Sequence, residues 1–354
     1  MAGPPRADRH SRADKLDRMA ATTTYLTGIQ TSGEPHIGNY IGAIKPALTA
    51  ANSHDTLYFL ADYHSLNSTK DPEKLRHDIR SVAAAWLACG LDPTRTLLYR
   101  QSAIPEVFEL TVILTSVTAK GLMNRAHAYK AARDRNEAAG AADLDSGVNM
   151  GLFNYPILMA ADILIMETDY VPVGRDQQQH IEYAADIAGA FNHLYGEHYR
   201  FPIPQGVYPE GEASVLPGTD GRKMSKSYDN HIPMFLPENR LKKVVRRIPT
   251  DSTPVEDPKD PDTSAVFQLL SQFASEERAA ETRKRLEAGG MGWGELKNEL
   301  FEVLNTTFGP MRERYEELLA PGSDLDDILA DGAERARQRS RATLAKVRAA
   351  VGID

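Results

Sequence analysis

The chain predicts an α/β fold, a parallel sheet with helices on its faces, followed by a second half that is all helical. Three observations carry this. Short β-rich runs alternate with helical patterns up to about residue 230, a glycine-punctuated turn joins the first run to the first helix, and beyond Asn230 the β signal almost vanishes. Alternation of this kind needs crossover connections, which lay helices over the faces of a parallel sheet.

In order, residues 1–18 are polar, rich in arginine and aspartate, and lack the apolar centre of a secretory signal, so a disordered tail is expected, with Met19 as an alternative start. A strand is predicted at 23–28 (TTYLTG), then a turn-rich IQTSGEP, then a helix over 36–51. Strand 56–61, a turn at 68–72, helix 73–89 and strand 96–100 repeat the pattern. Helices follow at 105–118 and 120–133, then an Ala/Gly/Asp-rich exposed loop at 134–147, then helices 155–167 and 175–193 flanking a β run at 170–173. The remainder reads as helices broken at 249–261, 289–292 and 321–322, which divides the chain into a tail (1–18), an α/β domain (19–230) and a helical domain (231–354).

Composition sets limits. No apolar run reaches the length of a membrane span, so a membrane protein is excluded. Cys89 is the single cysteine, which rules out an internal disulfide, and no Cys/His pair has zinc-ligand spacing, so no protein-held metal is expected. A reducing compartment fits. The net charge of −8 argues against a surface that coats nucleic acid throughout, but permits a local basic stripe.

Two segments suggest phosphate chemistry. In GIQTSGEPHIGN, Gly28, Gly33 and Gly38 let the backbone approach a ligand, and a helix starting near His36 points free N–H groups and its positive dipole end at that space. His36 and Asn39 can each donate a hydrogen bond to a phosphate oxygen. A plain strand-to-helix turn with a surface histidine remains the alternative. The second segment is Lys223, Met224, Ser225, Lys226 and Ser227, with Gly218 and Gly221 upstream allowing movement. Cations and hydroxyls suit oxygens that gain charge in phosphoryl or nucleotidyl transfer. A solvated basic loop is the plain reading, and the ordered pairing with the His36 segment argues against it. Neither G-x-x-x-x-G-K-S/T nor G-x-G-x-x-G occurs, which weakens P-loop kinase and dinucleotide-dehydrogenase readings.

Tyr155, Met159 and Asp162 share one face of a helix. Asp162 lies in the apolar run PILMAADILIM, where an unpaired carboxylate is costly, so it needs a partner. Either a basic residue from elsewhere or a ligand N–H, such as that of an indole, would serve. Further on, Arg240, Lys243 and Arg247 form one stripe of a helix whose other side carries Leu241, Val244, Val245 and Ile248, a candidate contact for a nucleic-acid backbone. The basic run 335–348 reads more readily as a solvated helix face.

HIGN and KMSKS resemble the two signatures of class I aminoacyl-tRNA synthetases. GIQTSG, DYHSLN, YPILMAADIL and VPVGRDQQQHIE narrow the resemblance to the bacterial-type tryptophanyl-tRNA synthetases, and it runs from Tyr25 to the C-terminus. The resemblance implies a Rossmann-like nucleotide-binding domain followed by a helical domain that binds tRNA(Trp). It also implies a cytoplasmic homodimer, and a reaction in which L-tryptophan and ATP, with Mg2+ on the phosphates, give an adenylate before transfer to tRNA. By the same carry-over Asp162 accepts the indole N–H, Met159 lines the ring pocket, Tyr155 and Gln177 hold the ammonium group, and His64 lies beside them. Gln30, Thr31, Ser32, Gly38, Asn39 and Val215 contact ATP, Gly174, Arg175 and Asp176 lie beside its ribose, and His36, Lys223 and Lys226 stabilise charge as pyrophosphate leaves.

The chain departs from the family in two places. AHAYKAARD stands where many relatives carry a lysine-rich segment, keeping Lys130, replacing the second lysine by Ala132 and placing Arg133 beside it as a substitute phosphate ligand. Leu26 stands where some members have a phenylalanine in the pocket wall. The rival readings are a tyrosyl-tRNA synthetase, a HIGH-motif adenylyltransferase acting on a cofactor precursor, and a catalytically inactive paralogue. VPVGRDQ and the MAAD helix favour tryptophan over tyrosine.

Overall fold

The computed structural model describes residues 23–51, 54–174, 177–208 and 216–354. The expected tail and alternative start, and the site candidates Arg175, Asp176 and Val215, lie outside the described residues.

Among the described residues the sheet has five strands: β1 Thr24–Ile29, β2 Asp55–Leu60, β3 Leu97–Arg100, β4 Tyr170–Pro172 and β5 Gln205–Val207. Their order is β3-β2-β1-β4-β5 and every pairing is parallel. The first four agree with the sequence to within a residue or two. β5 is the unexpected one, because Gln-Gly-Val is short and largely exposed, and so has no apolar alternation to announce it. Chain order reverses between β1 and β4, and the crevice beyond the carboxyl ends of strands at such a switch is where α/β sheets bind ligands.

Local chemistry explains the helices around this crevice. α1 (37–51) begins as Ile37–Asn39, passes through a π turn at Tyr40–Ile44 and resumes at Lys45–Ala51. His36 caps it in a reciprocal arrangement, its Nδ1 accepting from Asn39 N at 3.3 Å while its own N–H donates to Asn39 Oδ1 at 3.0 Å. α2 is the single turn Asp62–Ser65, and α3 is Pro72–Ala88, where the Asp71 carboxylate accepts from the N–H groups of Glu73 and Lys74 and Pro72 fits the first turn.

α4 (Glu106–Val117), α5 (Lys120–Met123) and α6 (His127–Ala138) follow. The helix expected over 120–133 is therefore broken in two, and its second part runs past 133 into the segment expected to be a loop. Arg135 and Glu137 are good helix formers, and the helix stops only where Gly140 takes φ +68°. α7 (Met150–Ile165) carries an internal Pro156, and α8 (Gln178–Tyr195) lies alongside it.

The helical half comprises α9 Glu238–Arg247, α10 Ala265–Phe273, α11 Glu276–Ala288, α12 Trp293–Leu319 and α13 Leu325–Val351. Its core is continuous with that of the sheet: Ile232, Met234 and Leu241 share one apolar cluster with Ile37, Tyr58 and Trp86. α13 returns onto β3 so closely that a Cβ on Gly332 would lie 2.0 Å from the carbonyl oxygen of Leu98. A division into 19–230 and 231–354 is thus a proposal about chain segments that share a core.

The basic run 335–348 is not a solvated face. Arg337 and Arg341 pair with Glu106 at 2.9 and 3.1 Å, Arg339 with Asp55 at 2.8 Å, and Arg348 with Glu109. These pairs clamp α13 to the sheet end and α4, because the carboxylates they meet come from the first half of the chain. No helix among the described residues is long and apolar enough to cross a membrane.

Candidate active site

The two phosphate segments meet. Ile37 N donates to Ile232 O at 3.0 Å and Met234 N to Pro35 O at 3.1 Å, so the stretch after KMSKS is sewn to the turn before α1. A Cβ on Gly38 would lie 2.9 Å from the His36 ring and 3.5 Å from Met224 Sδ, so glycine there leaves the capping imidazole its place beside the KMSKS methionine. Lys226 Nζ reaches across 194 positions of sequence to donate to the Ser32 carbonyl at 2.9 Å.

Loss of solvation pushes the Lys226 ammonium below the ordinary lysine range, while the charges of Asp78 and Glu34 work in the opposite direction. Burial, with His231 and Lys226 nearby, lowers His36 to about 4. His36 is therefore a neutral imidazole at pH 7. With Nδ1 accepting from Asn39 N, its proton sits on Nε2, and the residue is a hydrogen-bond donor and not a cation. Gln30, Ser32 and Asn39 are exposed around the same turn, Thr31 is buried with its hydroxyl 2.7 Å from that of Ser65, and Gly174 lies exposed just past β4. Lys223 and Ser227 are exposed on the loop.

The KMSKS loop is held by a residue that sequence reasoning missed. Asn230, 2% exposed, accepts from Ser225 N at 2.8 Å and donates to Lys223 O at 3.0 Å and Asp220 Oδ1 at 2.7 Å. One amide thereby fixes the backbone on both sides of Met224. The glycines at 218 and 221 permit the turn, and Asn230 sets its shape.

A second cluster of polar side chains is centred on a buried acid. Asp162 on α7 is 2% exposed and pairs with no guanidinium among the described residues. Its Oδ2 accepts from Gln101 Nε2 at 2.8 Å and lies 3.0 Å from His64 Nε2. Burial raises its pKa, and the hydrogen bonds from His64 and Gln101 pull the other way. Met159 and Tyr155 are partly buried on the same helix, and the Tyr155 ring is edge-on to both His64 and His180.

Tyr155 and Gln177 are joined through a residue not foreseen, His180: the Tyr155 hydroxyl is 2.7 Å from Nε2, and Nδ1 is 2.5 Å from Gln177 Oε1. Since Gln177 Oε1 only accepts, Nδ1 carries the ring proton and Nε2 accepts from the tyrosine, leaving lone pairs on the Tyr155 oxygen for an incoming donor. His180 stands one helical turn after Gln177, a spacing that could have marked it.

Other candidates lie elsewhere. Arg133 is 3.8 Å from Asp145 and sits over the Tyr129 ring, so its charge is already shared locally. Leu26, 1% exposed, is a core residue of β1. Arg240, Lys243 and Arg247 are exposed along α9, opposite the buried Leu241 and Val245.

A parallel sheet whose switch-point crevice gathers HIGN, KMSKS and a buried acid defines a class of enzyme. The family model described as "tRNA synthetases class I (W and Y)" matches residues 19–309, and the chain belongs to that family. It is 52% identical over 335 residues to the tryptophan–tRNA ligase of Pseudomonas aeruginosa, covering 94% of this chain and 74% of that one. With the tryptophan–tRNA ligase of Neisseria meningitidis it shares 51% identity over 330 residues, covering 93% and 97%. Among solved structures, tryptophanyl-tRNA synthetase from Campylobacter jejuni complexed with ADP and tryptophan superposes with a TM-score of 0.84 at 43% identity, covering 93% of this chain and all of that one.

Proposed function

We propose that the crevice between HIGN and KMSKS activates tryptophan, with the roles assigned below to its residues. The chain is an ATP-using aminoacyl-tRNA synthetase whose activity is that of a tryptophan–tRNA ligase. The observation that carries the residue assignment is Asp162: a carboxylate sunk among apolar side chains, bonded on one oxygen by Gln101 and His64, and meeting no other basic side chain among the described residues. Indole offers a lone N–H donor and no acceptor, which matches the remaining oxygen.

In the first step a carboxylate oxygen of tryptophan attacks the α-phosphorus of ATP. A P–O bond to the amino acid forms, the bond to the β-phosphate breaks, and pyrophosphate leaves with the electron pair. The substrate supplies its own nucleophile, so positioning and charge stabilisation are what the protein contributes. Lys223 and Lys226 supply positive charge, and neutral His36 supplies an Nε2–H to a phosphate oxygen. Gln30, Thr31, Ser32, Gly38, Asn39 and Gly174 border the nucleotide, with Met224, Ser225 and Ser227 shaping the loop over it. Mg2+ arrives as part of the substrate, carried on the phosphate oxygens with most of its waters. Tyr155 and Gln177 accept from the ammonium group, and Met159 packs on the ring.

In the second step a hydroxyl of the terminal ribose of tRNA(Trp) attacks the carbonyl carbon of the adenylate, an ester bond forms, the bond to the phosphate breaks and AMP leaves with the electron pair; the tRNA backbone is met by Arg240, Lys243 and Arg247. We place the enzyme in the cytoplasm, as a homodimer. The assignment is tested by pyrophosphate exchange into ATP, run with tryptophan and with tyrosine on the wild type and Asp162→Ala. Tryptophan-dependent exchange that collapses in the variant is expected, and unchanged exchange in the variant would remove Asp162 from the site.

A further inference from the structure

Gln101 is fully buried at the carboxyl end of β3, opening the 3-10 turn Gln101–Ala103. Its two polar ends are both used. Nε2 donates to Asp162 Oδ2 at 2.8 Å, and Oε1 accepts from Tyr63 N at 3.1 Å. The second contact fixes the amide orientation, since a backbone N–H can meet only the oxygen end. Turning the amide would set its carbonyl oxygen against the Asp162 carboxylate and give up the bond from Tyr63 N, so the donor end is the one that faces Oδ2.

The frame around it is equally determined. Asp62 Oδ1 accepts from Ser102 N and from Tyr63 N, each at 3.0 Å, and the Ser102 hydroxyl donates to Asp62 Oδ2. The turn carrying Gln101 is thus tied to the turn carrying His64, and both donors arrive at the same oxygen of Asp162. Two donors on Oδ2 settle which oxygen is taken and which is left.

We propose that Gln101 is a specificity-determining positioning residue: by holding Oδ2 of Asp162 from behind, it keeps the carboxylate turned so that Oδ1 faces the ligand as a hydrogen-bond acceptor. It touches no substrate and acts through Asp162. The amide of Gln101 does not titrate, so its donor is present at every pH. The proposal rests on the reading of Asp162 as indole acceptor, and its consequence is selectivity for a ring bearing an N–H over one of equal shape without it. A site built around a hydrogen bond rejects the analogue lacking the donor because a buried group is then left unpaired.

The test compares tryptophan with the analogue in which sulfur replaces the indole N–H, by kcat/KM in pyrophosphate exchange, for the wild type, Gln101→Leu, Gln101→Met and Asp162→Asn. Thermal unfolding and the KM for ATP are followed in each. The methionine variant keeps the unbranched length should leucine fail to fold. Expected is a fall of about tenfold in the tryptophan-to-analogue ratio for both Gln101 variants, the worth of one hydrogen bond to a charged group, with the KM for ATP unchanged. Equal losses for both substrates would overturn the proposal, since that is what general loosening of the pocket produces. An unchanged ratio in the Gln101 variants with a collapsed ratio in Asp162→Asn would also overturn it while leaving Asp162 in place. A ratio unmoved in all three variants would remove the indole reading itself.

Discussion

Lys226 Nζ donates to the carbonyl oxygen of Ser32 at 2.9 Å, so the second lysine of KMSKS is docked on the backbone of the glycine-rich turn that precedes HIGN. The ammonium stands between the turn before HIGN and the KMSKS loop, with Asp78 and Glu34 contributing negative charge near it. Lys226→Gln removes the charge while keeping a donor for Ser32. The exchange rate should fall about 10²- to 10³-fold, the usual loss when one preorganised stabiliser is removed, whereas tryptophan affinity measured without ATP should barely change. A comparable loss of tryptophan binding would mean that the loop shapes the amino-acid pocket.

His36 is lowered to about 4, so its ionisation lies outside the working pH range. The rate of tryptophan activation should show no inflection assignable to His36 between about pH 5.5 and 8. His36→Asn keeps a side-chain amide donor of lesser reach and should retain part of the rate that His36→Ala loses. A step near the ordinary histidine range that vanishes in His36→Asn would contradict the neutral-donor role.

Asp162 titrates from the other direction. Burial raises its pKa, so on acidification it takes up a proton before ordinary carboxylates do, and the protonated acid is the weaker acceptor for an indole. His64, Asp62 and Tyr99 face or influence the same carboxyl, so the comparison needs a variant that isolates it. Tryptophan affinity, measured by calorimetry from neutral pH downward, should weaken at a pH above the normal aspartate range in the wild type. The same titration of Asp162→Asn should be weak throughout and nearly flat.

Much of this arrangement was legible in the sequence, for reasons tied to particular residues. Four strands declare themselves by β-branched and aromatic runs, and Asp162 declares its need for a partner by standing in an apolar helix. The resemblance set His64 beside it, but Gln101 was not legible, because the two come from 98 and 61 positions away and only the folded sheet brings them to one oxygen. Asn230 was invisible for a different reason: it works on backbone groups of a loop, which no periodicity records. The arginines of 335–348 misled because a helix wheel cannot show that Glu106 and Asp55 will lie opposite them.

Asn230 should matter to catalysis more than to the fold. Asn230→Ala leaves Ser225 N and Lys223 O without their amide partner in a turn that water partly reaches, at a cost of about 0.5–1.5 kcal/mol for each hydrogen bond lost. The loss is local to the KMSKS loop, so the expected result is a raised KM for ATP and a slower exchange rate with a small shift in the unfolding midpoint. Proteolytic cutting between 216 and 230 should also accelerate. A large drop in global stability with unchanged ATP parameters would show that Asn230 serves the core and not the loop.

Gly332 and Gly294 make a paired test of how the last helix docks. A Cβ on Gly332 would stand 2.0 Å from Leu98 O, a backbone atom of β3 that cannot step aside, so Gly332→Ala must push α13 off the strand. The cost should be about 1–3 kcal/mol or more, as for other overpacked contacts, and the Arg339–Asp55 and Arg337–Glu106 pairs should loosen with it. Gly294, in the first turn of α12, meets nothing within 4 Å of its would-be Cβ. There alanine only removes backbone freedom from the unfolded chain, and Gly294→Ala should stabilise by about 0.5–1 kcal/mol. Denaturant midpoints that move in opposite directions for the two variants would establish close docking on β3 as the reason glycine stands at 332. A neutral Gly332→Ala would mean that α13 can slide along the strand at no cost.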